Sequence, residues 1–308
     1  MVRSVVLIGA VVGAYNYSLS TLLRSLGVDS PLAYLGLIPF LAAGVGWYSA
    51  RPGSGEPDVH DRALDRIVGV PLVVVPVAAL LLLPAQLSSY FWVWRIDLLT
   101  LPLFVAGCVA ILFGSRTLIR CRQAVLWLFA AWPVPYVVGL QRGLGPFTDL
   151  TVRALGVAVR HTGVARVERG SEGAFSVAGP DERFTLVVAS ACSGANSVVG
   201  FLLVGGAIAL VSRGTRRAKA VWMATGLGAV WALNVARILV IFVVGALWGE
   251  RTAIEVFHPY IGLVFFSITV TSMMLLAPRF GVHLGAGAIR RRSLSRSVRS
   301  GAPAWRSA

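Results

Sequence analysis

Charge is what this chain has least of: 13% of its 308 residues are Asp, Glu, Lys or Arg, against about a quarter in an ordinary soluble domain. With 56% hydrophobic residues and a mean hydropathy of +0.77, the shortage excludes a soluble globular protein. Cysteine is scarce as well. Three are present, Cys108 in an apolar run, Cys121 in a basic segment and Cys192 further on, so no disulfide framework is expected and at least one thiol is left over. His-Glu-x-x-His, Cys-x-x-Cys and Gly-x-x-x-x-Gly-Lys are all absent, which leaves zinc and P-loop chemistry without their ligand sets. No metal and no cofactor is expected. Nor does the chain show an internal repeat or a heptad pattern.

What it has in abundance is long apolar runs. About 20 residues cross a hydrocarbon core of roughly 30 Å as a helix, whereas barrel strands alternate in shorter segments. Runs near 4–23, 31–49, 67–87, 96–114, 123–141, 193–212, 220–248 and 258–277 predict an all-α polytopic membrane protein of about eight transmembrane helices. The first run is long and no small-x-small cleavage site follows it, so it reads as an uncleaved span and not as a signal peptide. The connecting segments are 51–66, 115–122, a long polar insert at 142–191, 213–219 and a basic tail over 278–308, which reads as disordered. Within the insert, "LTVRALGVAVRHTG" has helical spacing and suits an interfacial position. The following "GVARVERGSEGAFSVAGPDERFTLVVAS" alternates apolar and polar residues around Gly and Gly-Pro-Asp turns, predicting two or three short strands that lead into Cys192. The insert is therefore expected to be small and β-rich.

The net charge of +15 does not indicate nucleic acid, because the basic residues are dispersed between apolar runs and gathered in the tail. Orientation in a bilayer explains them better. With a cytoplasmic N-terminus, 18 of the 28 Lys and Arg residues fall in cytoplasmic segments, nine fall outside and Arg237 lies within a span. The expectation is a multi-pass cell-membrane protein with both termini in the cytoplasm and the 142–191 insert on the extracytoplasmic face.

Ionisable groups inside a span are costly and mark function by default. Arg237 in "WALNVARILVIFVV" is the clearest, placed in the outer part of its span. Cys192 opens the sixth span in "SACSGAN", where a helix N-terminus raises the thiolate fraction and small neighbours let a substrate backbone approach. His258 opens the eighth in "FHPYIG", again on the outer side, while His60 and His283 are cytoplasmic and His161 in the insert is its competitor. Each has a plain structural reading: Arg237 paired with a carboxylate or carbonyls, Cys192 a small buried residue, His258 an interfacial cap. One depth for all three makes a chemical set of thiolate nucleophile, oxyanion-stabilising cation and proton-transferring imidazole. Ser193 is an alternative nucleophile, but "ACSGA" is not Gly-x-Ser-x-Gly. Asp97 and Asp149 are expected near the interfaces in solvated roles.

At these residues the chain resembles the exosortase/archaeosortase family, with "ACSG" at 191–194, "NVAR" at 234–237 and "HPYIG" at 258–262. The resemblance runs from "WPVPY" (132–136) to 277, the first four spans matching only in being hydrophobic, and Ala195 stands where the family commonly has a larger aliphatic residue. It implies an N-terminal four-span region over 1–122, an exosortase-like catalytic region over 123–277 and the basic cytoplasmic tail. It further implies a membrane cysteine transpeptidase with Cys192 as nucleophile, Arg237 as thiolate or oxyanion stabiliser and His258 as general acid/base. Ser193, Gly194 and Asn234 are its supporting residues. The implied partner is an exported protein ending in a short motif, a transmembrane helix and a basic cluster, as in PEP-CTERM proteins, with an amine acceptor of unknown identity. Two other readings stay open at this point, a hydrolase using the same thiol and a non-catalytic transporter or scaffold.

Overall fold

A computed structural model describes residues 2–26, 32–50, 61–168, 173–180, 182–188 and 194–283. The tail beyond His283, the 51–60 connection with His60, and Cys192 with Ser193 lie outside the described residues. The elements are α1 (Val2–Ser25), a 3-10 turn (Ala33–Leu37) leading into α2 (Ile38–Ser49), α3 (Arg62–Leu87), the short α4 (Ser89–Val93) and α5 (Ile96–Phe113). There follow α6 (Ser115–Leu128), α7 (Val134–Thr162), strands β1 (Ala165–Val167), β2 (Ala174–Ala178) and β3 (Arg183–Val187), then α8 (Ala195–Val211), α9 (Arg216–Arg251) and α10 (His258–Leu276).

Among the described residues five helices are long and apolar enough to cross a membrane, six if the bent α6–α7 pair counts as one span, and two further apolar helices, Ala33–Ser49 and Ala195–Val211, are shorter. The expected edges hold closely except at 123–141. There the chain stops being helical at Trp132 and resumes at Val134 with a 59° bend. Pro133 is the cause, since it lacks a backbone donor and holds Trp132 extended, while Pro135 falls in the first turn of α7, where proline is tolerated. The predicted 115–122 loop is likewise the beginning of α6, joined to α5 through Gly114 at φ +93°. The insert is less β-rich than expected. Residues 142–162 belong to the 29-residue α7, and among the described residues the β structure of the insert is one three-stranded antiparallel sheet in the order β1-β2-β3.

Two ends of the bundle can be told apart. At one, Arg3, Arg62, Arg66, Ile111 and Leu112 converge, and the Asp65 carboxylate accepts from the Ser115 backbone N–H at 2.6 Å. Val45, Ala124 and Ala207 continue this packing to the end of α8 near Val211, and a bridge between Arg213 and His283 ties in the end of α10. At the other, Arg95 pairs with Asp97 at 3.1 Å and donates to Thr21 Oγ1 at 2.9 Å, pinning α1 to α5. Asp97 is thus fully buried, not solvated as expected, because a charge enclosed among helices persists only when paired. The main core joins α1, α2, α5, α6 and α8 through Tyr15, Ile38, Leu101, Leu128 and Leu203.

Close helix approach depends on residues without side chains, since lipid supplies no hydrophobic drive between apolar helices. The pairing of α3 with α5 shows it: a Cβ on Gly107 would stand 2.8 Å from the Gly69 carbonyl, and one on Gly69 would stand 3.0 Å from the Gly107 carbonyl. Gly107→Val is therefore expected to lower stability by about 1–3 kcal/mol in thermal melts of the reconstituted protein. Gly9→Val, with nothing within 4 Å of the added carbon, is expected to leave the melt unchanged.

Candidate active site at the end of helix α9

Helix α9 starts from a Thr215 cap, whose hydroxyl accepts from Ala218 N–H at 3.1 Å, and Lys219 Nζ caps α8 through Ser212 O at 2.7 Å. Arg237 lies roughly 31 Å along α9 from Arg216, about one hydrocarbon thickness away. Beyond it the helix is clamped from outside the span. Phe175, Val177 and Phe184 of the sheet pack with Leu155 and Val159 of α7 onto Ile238 and Phe242. Gly245 admits the Phe184 ring, whose Cζ would be 2.7 Å from a Cβ there. Helix α9 then breaks at Gly249 (φ +85°), and a π-helical segment, Thr252–Phe257, returns the chain to the start of α10, with Ala253 packed on Ile241 and Val244. Pro259, in the first turn of α10, needs no hydrogen-bond donor there.

This hairpin brings two of the three expected site residues together. Arg237 Nη2 lies 3.2 Å from His258 Nε2. A guanidinium only donates, so Nε2 accepts, and the neutral imidazole carries its proton on Nδ1. Nη1 makes a longer contact of 3.5 Å with Asn234 Oδ1, one turn earlier on α9. Nε is buried and meets no partner, and among the described residues no carboxylate pairs with Arg237. Gly262 gives the guanidinium its seat: a Cβ there would be 3.2 Å from Arg237 Cζ. A cavity of about 10 Å3, room for one water, lies against the group and is walled by Ser197, Asn234, Gly262, Phe266 and Thr269.

Gly194 connects this pair to the "ACSG" motif. It sits at φ +93° immediately before α8, and a Cβ on it would be 2.7 Å from the Asn234 side-chain amide. Asn234 is itself buried, so the backbone at Gly194 rests on the residue one turn below Arg237. His161 occupies the exposed last turn of α7, where Nδ1 bonds Val157 O at 2.8 Å. Cys108 and Cys121 are buried free thiols, Cys121 on helix α6 and not in a loop.

Sequence reasoning missed Tyr34. Its ring stacks on Phe266 at 4.7 Å and lies against Gly200 of α8. A tyrosine in an apolar run gives no sign of this, because the contact is made by three helices remote in sequence. Ser197 and Thr269 were also unmarked, and Gly262 was quoted in "HPYIG" without a role.

Gly194→Ala is expected to destabilise the protein by about 1–3 kcal/mol through its positive φ and the Asn234 contact. In an Asn234→Ala background the two 2.7 Å contacts disappear and only the 3.0 Å approach to Cβ remains, so the cost falls. A double-mutant cycle on thermal stability checks that coupling, which a purely conformational cost would not produce.

The profile of the transmembrane exosortase family matches residues 10–275. That extends the likeness well before Trp132, in keeping with a core in which Tyr15, Leu35 and Ile38 pack against Val199 and Leu203 of α8. No curated protein matches the chain, and no solved structure matches it. Spanning most of the sequence, the profile match identifies the protein as a member of the transmembrane exosortase family.

Proposed function

We propose that the protein is a membrane cysteine transpeptidase that cleaves the C-terminal sorting signal of an exported protein through a thioester. The observation that carries this reading is the 3.2 Å contact between Arg237 and His258, made across a helical hairpin and joined to the cysteine motif through Asn234 and Gly194. Two peptide bonds separate Gly194 from Cys192, a reach of at most about 7 Å. A transporter or scaffold that used Arg237 structurally would pair it with a carboxylate or backbone carbonyls, and among the described residues its partners are Asn234 and His258 instead.

The chemistry follows from the acceptor state of Nε2. The Cys192 thiol passes its proton to His258 Nε2, which breaks the bond from Arg237 and frees Nη2 to pair with the thiolate. Sulfur attacks the scissile carbonyl, and Arg237 takes up the charge developing on oxygen. As the C–N bond breaks, the imidazolium protonates the leaving amine and the acyl group remains on sulfur. An amine acceptor or water then gives up a proton to Nε2, attacks the thioester and releases the thiol. Ser193, Gly194 and Asn234 shape the approach. No cofactor enters any step.

In this reading the two shorter apolar helices also cross, at about 25 Å each, giving eight spans. Both termini are cytoplasmic and the site faces outward, since Arg62, Arg66, Arg116 and Arg213 lie at the bundle end opposite the Arg95–Asp97 pair. Residues 1–122 form the four-span region that contributes Tyr34, 123–277 the catalytic region, and 278–308 the tail. A substrate anchored by its own helix beside the site reaches a high effective concentration in two dimensions.

With a co-reconstituted protein ending in a transmembrane helix and an arginine cluster, Cys192→Ala is expected to abolish cleavage. Arg237→Lys is expected to lose at least about a hundredfold, because a point charge cannot both hold His258 and later bind the oxyanion. Mass spectrometry of the product distinguishes amine transfer from hydrolysis. Undiminished cleavage by Cys192→Ala would sink the proposal.

A further inference from the structure

The bundle end opposite Arg237 carries a second cavity, of about 250 Å3, lined by Arg3, Arg62, Asp65, Arg66, Ile111 and Leu112. We propose that it binds the anionic headgroup of a phospholipid, with the three arginines on the phosphodiester and an acyl chain along Ile111 and Leu112. The arginines come from two helices, Arg3 from the first turn of α1 and Arg62 and Arg66 from the first two turns of α3. None of the three has a hydrogen-bond or ion-pair partner among the described residues. The one acid among the described lining residues, Asp65, offsets a single charge of the three. Asp65 is buried and turned to α6, where Oδ1 accepts from the Ser115 backbone N–H at 2.6 Å. Three cations thus converge on a space with a net surplus of positive charge.

The surroundings decide for a lipid over a free anion. Val2 and Val5 on α1 and Ile67 and Val70 on α3 are exposed within two turns of the arginines. Exposed apolar side chains at the end of long apolar helices mark the level where acyl chains meet headgroups, so the cavity opens at that boundary. Ile111 is itself exposed, and Gly69 makes the room that its Cγ1 fills. The close α3–α5 packing at Gly69 and Gly107 keeps the apolar wall in place beneath the cations. A guanidinium trio above an apolar wall fits a phosphodiester with attached chains, because it meets both the charge and the hydrocarbon.

Native mass spectrometry of the full chain released from phosphatidylcholine nanodiscs containing phosphatidylglycerol tests the site, and it does not depend on Cys192 chemistry. The wild type is expected to retain one phosphatidylglycerol in preference to phosphatidylcholine. Each arginine contributes about fivefold, so Arg3→Gln/Arg62→Gln/Arg66→Gln is expected to weaken retention on the order of a hundredfold. The corresponding triple Lys variant keeps the charges and the lipid, and covers the case in which the Gln variant does not fold. Arg213→Gln/Arg216→Gln/Arg217→Gln, an equal charge loss elsewhere, keeps it too. Unchanged retention in the folded Gln variant, or displacement of the lipid by millimolar inorganic phosphate, overturns the proposal.

Discussion

Among apolar helices a guanidinium is tolerated only if its donors are met or held for something that will meet them. Arg237 satisfies this condition incompletely: one Nη nitrogen is taken by His258, the other reaches Asn234 at 3.5 Å, and Nε has no partner. Around this one group the rest of that end of the bundle is arranged. Gly262 is small so that the guanidinium can lie on α10, and Asn234 links it to Gly194 and the turn that begins α8. Tyr34, stacked on Phe266, brings the N-terminal helices to the same cavity wall. A carboxylate partner would satisfy Arg237 better and remove its use. The arrangement leaves donor capacity of Arg237 unspent beside the turn at Gly194.

The small sheet has a mechanical part in this. A helix of 36 residues is far longer than a bilayer needs, and the surplus of α9 would wave in solvent unless packed. Phe175, Phe184, Leu155 and Val159 enclose it just beyond Arg237. The break at Gly249 and the π-helical return then bring His258 back down to the arginine. The Arg237–His258 contact is thereby built on regular elements, which hold it better than loops can.

What was legible in the sequence is what a bilayer imposes. Helices α1, α3, α5, α8 and α10 begin and end within a few residues of their apolar runs, because the cost of unsatisfied backbone in lipid leaves no alternative. The α6–α7 region escaped because hydropathy averages over the break at Pro133, and the apolar window 123–141 straddles two helices that neither begin nor end with it. Arg237 and His258 were visible as ionisable groups in apolar context. Their contact was not: whether positions 21 residues apart meet depends on the kink at Gly249, and a glycine in a helical run does not reveal its φ. Asp97 was misjudged for a related reason, since its partner Arg95 adopts a left-handed backbone that turns the two side chains together. Tyr34 carries no local signature at all, and the place of Gly262 in "HPYIG" does not reveal that a guanidinium lies on it.

The central claim is that the Arg237 guanidinium acts on the Cys192 sulfur, and thiol reactivity reads it directly. In a Cys108→Ser/Cys121→Ser background, the alkylation rate of Cys192 at neutral pH measures the thiolate present. The account predicts that Arg237→Gln slows that rate by on the order of tenfold or more while the protein stays folded. Equal rates in two folded proteins would contradict it.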